Sequence, residues 1–200
     1  MVGIIDYGVG NLFSLQSSFK AIGEEAFVSG DAAQLAKADR LVLPGVGAVE
    51  DAAAKLRASG LDSFVRQQAA AGKPLLGICL GMQMLFEKSY EYGEHEGLGL
   101  LKGQVVPMAG RINGELKIPH MGWNALEIKQ GRLLAEVGGQ YVYFVHSFFA
   151  ENCEDSLSAV TEYDIPITAA VEKGNIFGCQ FHPEKSGNVG LSILQKFCRL

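Results

Sequence analysis

Short apolar runs alternate with amphipathic stretches through the first half of the chain. Apolar runs at Val2–Asp6, Ala26–Val28, Arg40–Leu43 and directly after Pro74 have the length and texture of buried parallel strands. The intervening segments predict helices over residues 12–22, 32–38, 49–58, 61–71 and 82–88. The order is β-α-β-α-β-α-α-β, which is typical of a doubly wound sheet.

After Leu98 the pattern changes to short strands. These are predicted at residues 103–107, 125–128, 141–145, 158–162, 167–172 and 176–181, followed by a last helix over 188–197. Lys173-Gly174-Asn175 between the last two strands is a hairpin signal. We therefore predict a single α/β domain, residues 1–200, with a mostly parallel central sheet flanked by helices and extended by antiparallel strands. The polar residues 90–97 are predicted to form an exposed loop.

Composition narrows the function classes. The net charge of −5 gives no reason to expect a nucleic-acid partner, and no apolar run reaches the ~18 residues of a membrane helix. The four cysteines show no close pair, so neither a Cys-x-x-Cys metal site nor a disulfide framework is expected. The prediction is a cytoplasmic protein without a membrane partner.

Cys79 lies at the junction of an apolar run and a helix-forming segment, with Gly77 and Gly81 two residues away on either side. This is the layout of a nucleophile elbow, where glycines permit a tight turn that exposes the nucleophile. N–H groups at the start of the following helix favour a thiolate. A buried structural cysteine is the alternative.

His182 and Glu184 follow the last strand in a His-Pro-Glu sequence. A thiol needs a base, and a carboxylate two residues on can orient the imidazole. Pro44-Gly45-Val46-Gly47 ends another strand, so a backbone N–H of Val46 or Gly47 could join that of Leu80 in an oxyanion hole. This chemistry requires no metal and no organic cofactor.

Two other histidines are weaker candidates. His120 has no carboxylate at a fixed offset, and its segment 117–124 is predicted as a structural loop. His146 lacks a glutamate two residues on, so His182 is preferred as the base.

The elbow and the His-Pro-Glu sequence together resemble the Cys-His-Glu triad of class I glutamine amidotransferases. Four further motifs resemble, more narrowly, the glutaminase subunits of imidazole glycerol phosphate synthase. These are Asp6–Leu12, Pro44–Gly47, Pro119–Asn124 and Tyr143–Ser147.

The resemblance implies that Gln83, Ser147 and Phe148 bind glutamine, although relatives often carry tyrosine at the position of Phe148. It implies a (β/α)8 cyclase subunit as partner, which receives the ammonia, and a peptide flip in the 45–47 loop that switches activity. The residues that it places at the partner interface are Asn11, Pro119, Met121 and Lys185. Three alternatives stay open: an amidotransferase subunit of another synthase, a stand-alone cysteine hydrolase, and a non-catalytic relative.

Overall fold

The computed structural model describes all residues from Met1 to Leu200. The elements in chain order are β1 (Val2–Ile5), α1 (Leu12–Ala21), β2 (Ala26–Ser29), α2 (Ala32–Leu35), β3 (Arg40–Leu43), α3 (Val49–Ala58), α4 (Leu61–Ala70), β4 (Leu75–Ile78), α5 (Leu80–Gln83), β5 (Lys88–Ser89), β6 (His95–Glu96), β7 (Gln104–Pro107), β8 (His120–Ala125), β9 (Glu127–Ile128), β10 (Tyr141–His146), β11 (Phe148–Glu151), β12 (Leu157–Tyr163), β13 (Ile165–Lys173), β14 (Ile176–Cys179), a 3-10 helix (Pro183–Lys185) and α6 (Gly187–Arg199).

A central eight-stranded sheet has the order β2-β1-β3-β4-β14-β13-β12-β9. Its first five strands are parallel, and β13, β12 and β9 add to β14 in antiparallel fashion. Strands β1 and β4 are buried along their whole length, as near-continuous apolar sequences require. The predicted α/β class with a mostly parallel central sheet is confirmed.

The antiparallel extension is smaller than predicted. Strands β8 and β10 form a separate two-stranded sheet, and β11, β7, β5 and β6 form a separate four-stranded one. The predicted strand at 125–128 is divided, because Ala125 ends β8 and only Glu127–Ile128 joins the central sheet. The predicted hairpin at 173–175 is correct, since Lys173 pairs with Ile176 across it.

The predicted helix at residues 82–88 is correct only at its first two residues. The helix after the elbow ends at Gln83, and Lys88 already belongs to β5. The carbonyls of Met84 and Leu85, which a longer helix would use, accept the N–H groups of Leu98 and Leu100 at 2.7 and 2.9 Å. Tertiary hydrogen bonds thus replace those that the helix propensity favoured.

Two predicted loops also contain strands. The segment predicted as a loop at 117–124 contributes all but its first three residues to β8, in which His120 is buried while Met121 and Trp123 are exposed. The segment at 90–97 contains β6, and Glu91 within it is buried. A hydrophobicity pattern does not predict β8, where the polar His120 is buried and the apolar Trp123 is exposed, and β6 consists of only two polar residues.

The two largest apolar clusters of the core lie on the two faces of the central sheet, and a third, smaller one surrounds Met108. Helices α3 and α4 contribute to one of the two large clusters, through Leu56 and Phe64, whereas α1 and α6 contribute to the other, through Phe19 and Phe197. The helices therefore flank the sheet on both sides and leave its carboxyl edge accessible. None of the helices is both long and apolar enough to cross a membrane.

Candidate active site

Cys79 follows β4 at a strained turn. Its backbone has φ 54° and ψ −111°, a conformation that residues with a side chain rarely adopt. A Cβ at Gly77 would lie 2.7 Å from the carbonyl oxygen of Gly81, and one at Gly81 would lie 1.9 Å from that of Leu43. The glycines flanking Cys79 are therefore required by close backbone contact, as the elbow motif predicts.

Strand β14 brings the His-Pro-Glu sequence to the elbow. It lies beside β4 in parallel, and the N–H of Cys79 donates to the carbonyl of Cys179 at 2.7 Å. Because the carboxyl ends of parallel neighbours meet at one edge, His182 and Cys79 both line the same pocket.

His182 and Glu184 form a buried pair. The imidazole Nδ1 donates to Glu184 Oε1 at 2.8 Å, and both side chains are only 2% exposed. Burial disfavours the imidazolium, but hydrogen bonding with Cys79 and Glu184 and the charges of both groups outweigh it and raise the pKa of His182 to about 9. This leaves Nε2 as the ring nitrogen available for proton transfer at Cys79.

His146 also lines the pocket, but both of its ring nitrogens are occupied. Nδ1 donates to the carbonyl of Phe148 at 2.8 Å, and Nε2 lies 3.0 Å from Nδ1 of His120. Burial, assisted by the charges of His120 and His182 and only partly opposed by the Phe148 bond, lowers the pKa of His146 to about 3. His146 is thus a neutral, fully engaged side chain and a poor general base.

The loop at residues 44–48 lies directly against the elbow. A Cβ at Gly45 would be 2.8 Å from the backbone nitrogen of Gly81, and Tyr7 donates its hydroxyl to the carbonyl of Pro44 at 2.7 Å. Gly47 has φ +92°, which favours glycine, and no atom within 4 Å of the position of a Cβ. The loop is thus held at its start and unobstructed at Gly47.

Glu91 anchors the other end of this loop. Its carboxylate accepts the N–H of Val49, the first residue of α3, at 2.6 Å, where Ala48 offers no side-chain cap. Burial raises the pKa of Glu91, and the Val49 hydrogen bond partly opposes this. Glu91 was missed by the sequence analysis, because no pattern distinguishes it from the other acidic residues of its polar segment.

A cavity of about 290 Å³ joins these groups, and its lining includes ten of the thirteen predicted site residues. The ten are Val46, Gly47, Cys79, Leu80, Gln83, Pro119, Ser147, Phe148, His182 and Lys185. The remaining four lining residues are Glu91, Tyr92, Val145 and His146.

Three predicted residues lie outside the cavity. Glu184 contacts the ring of His182 from outside the lining. Asn11 caps α1, where its side chain accepts the N–H of Ser14, and Met121 is 62% exposed on β8.

Two glutamines connect the cavity to the sulfur of Cys79. Gln83 Nε2 donates to the carbonyl of Phe148 at 3.1 Å and to Gln180 Oε1 at 2.9 Å. Gln180 Nε2 in turn lies 3.7 Å from Cys79 Sγ. Gln180 was overlooked as a site residue, although it precedes His182 by two positions and strand alternation places such residues on one face. Nowhere in the chain do three or more His, Cys, Asp or Glu side chains gather in a way that could hold a metal ion.

Comparison with known proteins agrees with this geometry. The family "Glutamine amidotransferase class-I" matches residues 4–199. The imidazole glycerol phosphate synthase subunit HisH of Oceanobacillus iheyensis is 48% identical over 200 residues, which cover 98% of each chain. The HisH subunit of Geobacillus thermodenitrificans is 50% identical and covers 98% of this chain and 94% of its own.

Solved structures show the same fold at low identity. A glutamine amidotransferase crystal structure has a TM-score of 0.77 at 22% identity, with 98% of each chain covered. The structure of PurLQS from Thermotoga maritima has a TM-score of 0.76 at 21% identity and covers 99% of this chain and 97% of that one. The chain therefore belongs to the class I glutamine amidotransferase family and, within it, to the HisH subunits of imidazole glycerol phosphate synthase.

Proposed function

We propose that this protein hydrolyses glutamine to glutamate and ammonia and delivers the ammonia to a cyclase subunit of imidazole glycerol phosphate synthase. The observation that carries the proposal is the pocket in which Cys79 at the elbow meets His182, itself oriented by Glu184. The near-50% identity to HisH subunits over almost the full chain supports the choice of synthase.

In this reaction the sulfur of Cys79 attacks the side-chain amide carbon of glutamine. His182 takes the thiol proton and delivers it to the departing ammonia, which leaves a γ-glutamyl thioester. Water, deprotonated by His182, then attacks the thioester and releases glutamate with the regenerated thiol. The raised pKa of His182 suits this role, because an imidazolium beside the sulfur stabilises the thiolate.

The oxyanion of both tetrahedral intermediates is held by backbone N–H groups. Leu80 supplies one from the start of α5, and Val46 or Gly47 supplies the other from the loop alongside. Gly47 leaves this loop free to rotate a peptide, whereas Tyr7 and Glu91 hold its two ends. A peptide rotation between fixed ends is the proposed activity switch.

Glutamine is bound as a zwitterion. Gln83, Ser147 and Phe148 contribute polar side-chain or backbone atoms to the cavity wall. Glu91 adds a carboxylate that can face the α-ammonium group, and the cavity of about 290 Å³ has the size of a small-ligand site.

Ammonia must leave unprotonated, since ammonium is not a nucleophile, and this requires a partner over the pocket. The HisH relatives are themselves subunits of a synthase. Pro119 and Lys185 line the cavity, and the exposed Met121 lies on the same strand region as Pro119. With Asn11 they form the proposed interface to the cyclase, in a cytoplasmic complex that contains no nucleic acid or lipid.

The proposal is tested by measuring glutamate release from glutamine under three conditions: the chain alone, with the cyclase subunit, and with the cyclase plus its nucleotide ligand. We expect weak release alone and strong release in the full mixture. Cys79→Ala should abolish release in every condition, whereas Cys198→Ala, on α6 outside the pocket, should retain it. Undiminished release by Cys79→Ala would refute the nucleophile, and no release by the wild-type mixture would refute the function.

A further inference from the structure

We propose that Gln180 is a positioning residue for this chemistry, which donates an amide hydrogen to Cys79 Sγ and locks the orientation of Gln83. The inference rests on the proposed function, in which Cys79 is the nucleophile. Gln180 lies between the end of β14 and His182, and it is fully buried. Buried side-chain amides are normally hydrogen-bonded, so the hydrogen-bond partners of Gln180 indicate its role.

The direction of the hydrogen bonds starts at a backbone atom. The carbonyl oxygen of Phe148 can only accept, so Gln83 must present its NH₂ group to it at 3.1 Å. The same NH₂ group lies 2.9 Å from Gln180, which must therefore present its oxygen. The NH₂ group of Gln180 is consequently the end that faces Cys79 Sγ, at 3.7 Å.

The sulfur lies between opposing influences. The carbonyl oxygen of Val145, 3.9 Å from Sγ, accepts a hydrogen bond from the thiol but repels the thiolate. The N–H of Gln180 has the opposite preference, because a donor stabilises the charged sulfur. Without Gln180, the uncharged thiol that donates a hydrogen bond to Val145 would be favoured over the reactive thiolate.

Gln83 is affected in turn. Both hydrogens of its NH₂ group are directed at Phe148 and Gln180, so only its oxygen is left for the cavity that it lines. A ligand group that contacts this oxygen must be a donor, such as an α-ammonium. Gln180 therefore supplies a donor that favours the thiolate of the nucleophile and fixes the polarity of one wall of the pocket.

The test is the pH dependence of Cys79 alkylation by iodoacetamide in the full-length chain, followed by mass spectrometry of the peptide that contains Cys79. Gln180→Met removes the donor, and Gln180→Glu keeps an acceptor for Gln83 but directs an oxygen at the sulfur. We expect the midpoint for Cys79 to rise by about one pH unit in Gln180→Met and by more in Gln180→Glu. Labelling of the half-buried Cys198 should be equal in all three proteins.

Unchanged midpoints in both variants would overturn the proposal, whether or not the variants were less stable. A variant that does not fold is replaced by a measurement on the wild-type chain. There, the side-chain ¹⁵N–H signals of Gln180 should shift in step with the titration of Cys79, and signals that do not move would refute the hydrogen bond. Failure of the proposed function would appear separately, as absent glutamate release with the midpoint shifts intact.

Discussion

Cys79 carries backbone strain that glycine would relieve. Its φ of 54° is unfavourable for a residue with a Cβ and costs on the order of 1–3 kcal/mol. We expect Cys79→Gly to be more stable than Cys79→Ala by about 1 kcal/mol, measured by chemical denaturation. Glycine is elsewhere less stable than alanine by roughly the same amount, so the reversed order identifies the strain. Equal stability of the two variants, or a more stable alanine variant, would contradict it.

The pKa of His182 should change when its carboxylate partner, Glu184, is removed. Because the hydrogen bond and charge of Glu184 are among the causes that raise the pKa of His182 to about 9, Glu184→Gln should lower that pKa. The shift can be followed by the imidazole proton signals in NMR. Glutamate release in the full complex should fall by roughly 10- to 100-fold, since the variant loses the carboxylate that orients the base. Glu115→Gln, at an exposed position, should change neither quantity.

The same pKa defines a pH window for stability. A pKa raised on folding means that the folded chain binds the proton more tightly, so this contribution is complete below about pH 6.5. It is lost as the pH rises through about 9. The stability difference between wild type and Glu184→Gln should therefore narrow over that interval, in urea titrations at successive pH values. A difference that widened with pH would have the wrong sign for this pair.

At the scale of the elements, sequence predicts best where local pattern and burial agree. Strands β1, β3 and β4 are short apolar runs, and they are buried as predicted. Residues 82–88 have helical composition, yet the carbonyls of Met84 and Leu85 bond to a segment more than ten residues away. No local pattern records that competition.

The site residues also divide into those that a local sequence motif predicts and those that depend on tertiary contacts. The elbow and the His-Pro-Glu motif are local sequences, so Cys79 and His182 could be named from the residues themselves. Other lining residues, such as Gln83 and Ser147, were named only through the family resemblance. Gln180 and Glu91 act through partners distant in the chain, namely Gln83 and Val49. Their roles depend on which strand ends meet, and this becomes visible only in the fold.

The close packing of the elbow can be tested by adding a methyl group at Gly81. A Cβ at Gly81 would lie 1.9 Å from the carbonyl oxygen of Leu43, which belongs to the neighbouring strand β3. Gly81→Ala should therefore force the start of α5 away from the end of β3 and destabilise the chain by roughly 3 kcal/mol or more. Gly114→Ala is the matched control, because nothing lies within 4 Å of that Cβ. Similar thermal unfolding of the two variants would show that the elbow is not tightly packed.

At the scale of the whole molecule, the pocket opens beside an exposed apolar surface. Met121 and Trp123 on β8 are 62% and 52% exposed, and Ile118 just before the strand is 41% exposed. Pro119, between Ile118 and β8, lines the cavity itself. A cluster of exposed large apolar side chains is a mark of an interaction surface, and this one adjoins the site where ammonia would form.

A charge in this surface should separate binding from folding. Met121→Lys should weaken the complex with the cyclase subunit by at least about tenfold, measured by calorimetric titration, because the ammonium would be buried without a partner. The free variant should unfold at the wild-type temperature, since Met121 is largely exposed. Gln67→Lys on α4 is the control, because it adds the same charge on the other face of the central sheet. Helix α4 contributes to one core cluster, whereas β10, the partner strand of β8, contributes to the other. If both variants bound equally well, the exposed apolar surface would not be the docking site, and the ammonia would need another exit from the pocket.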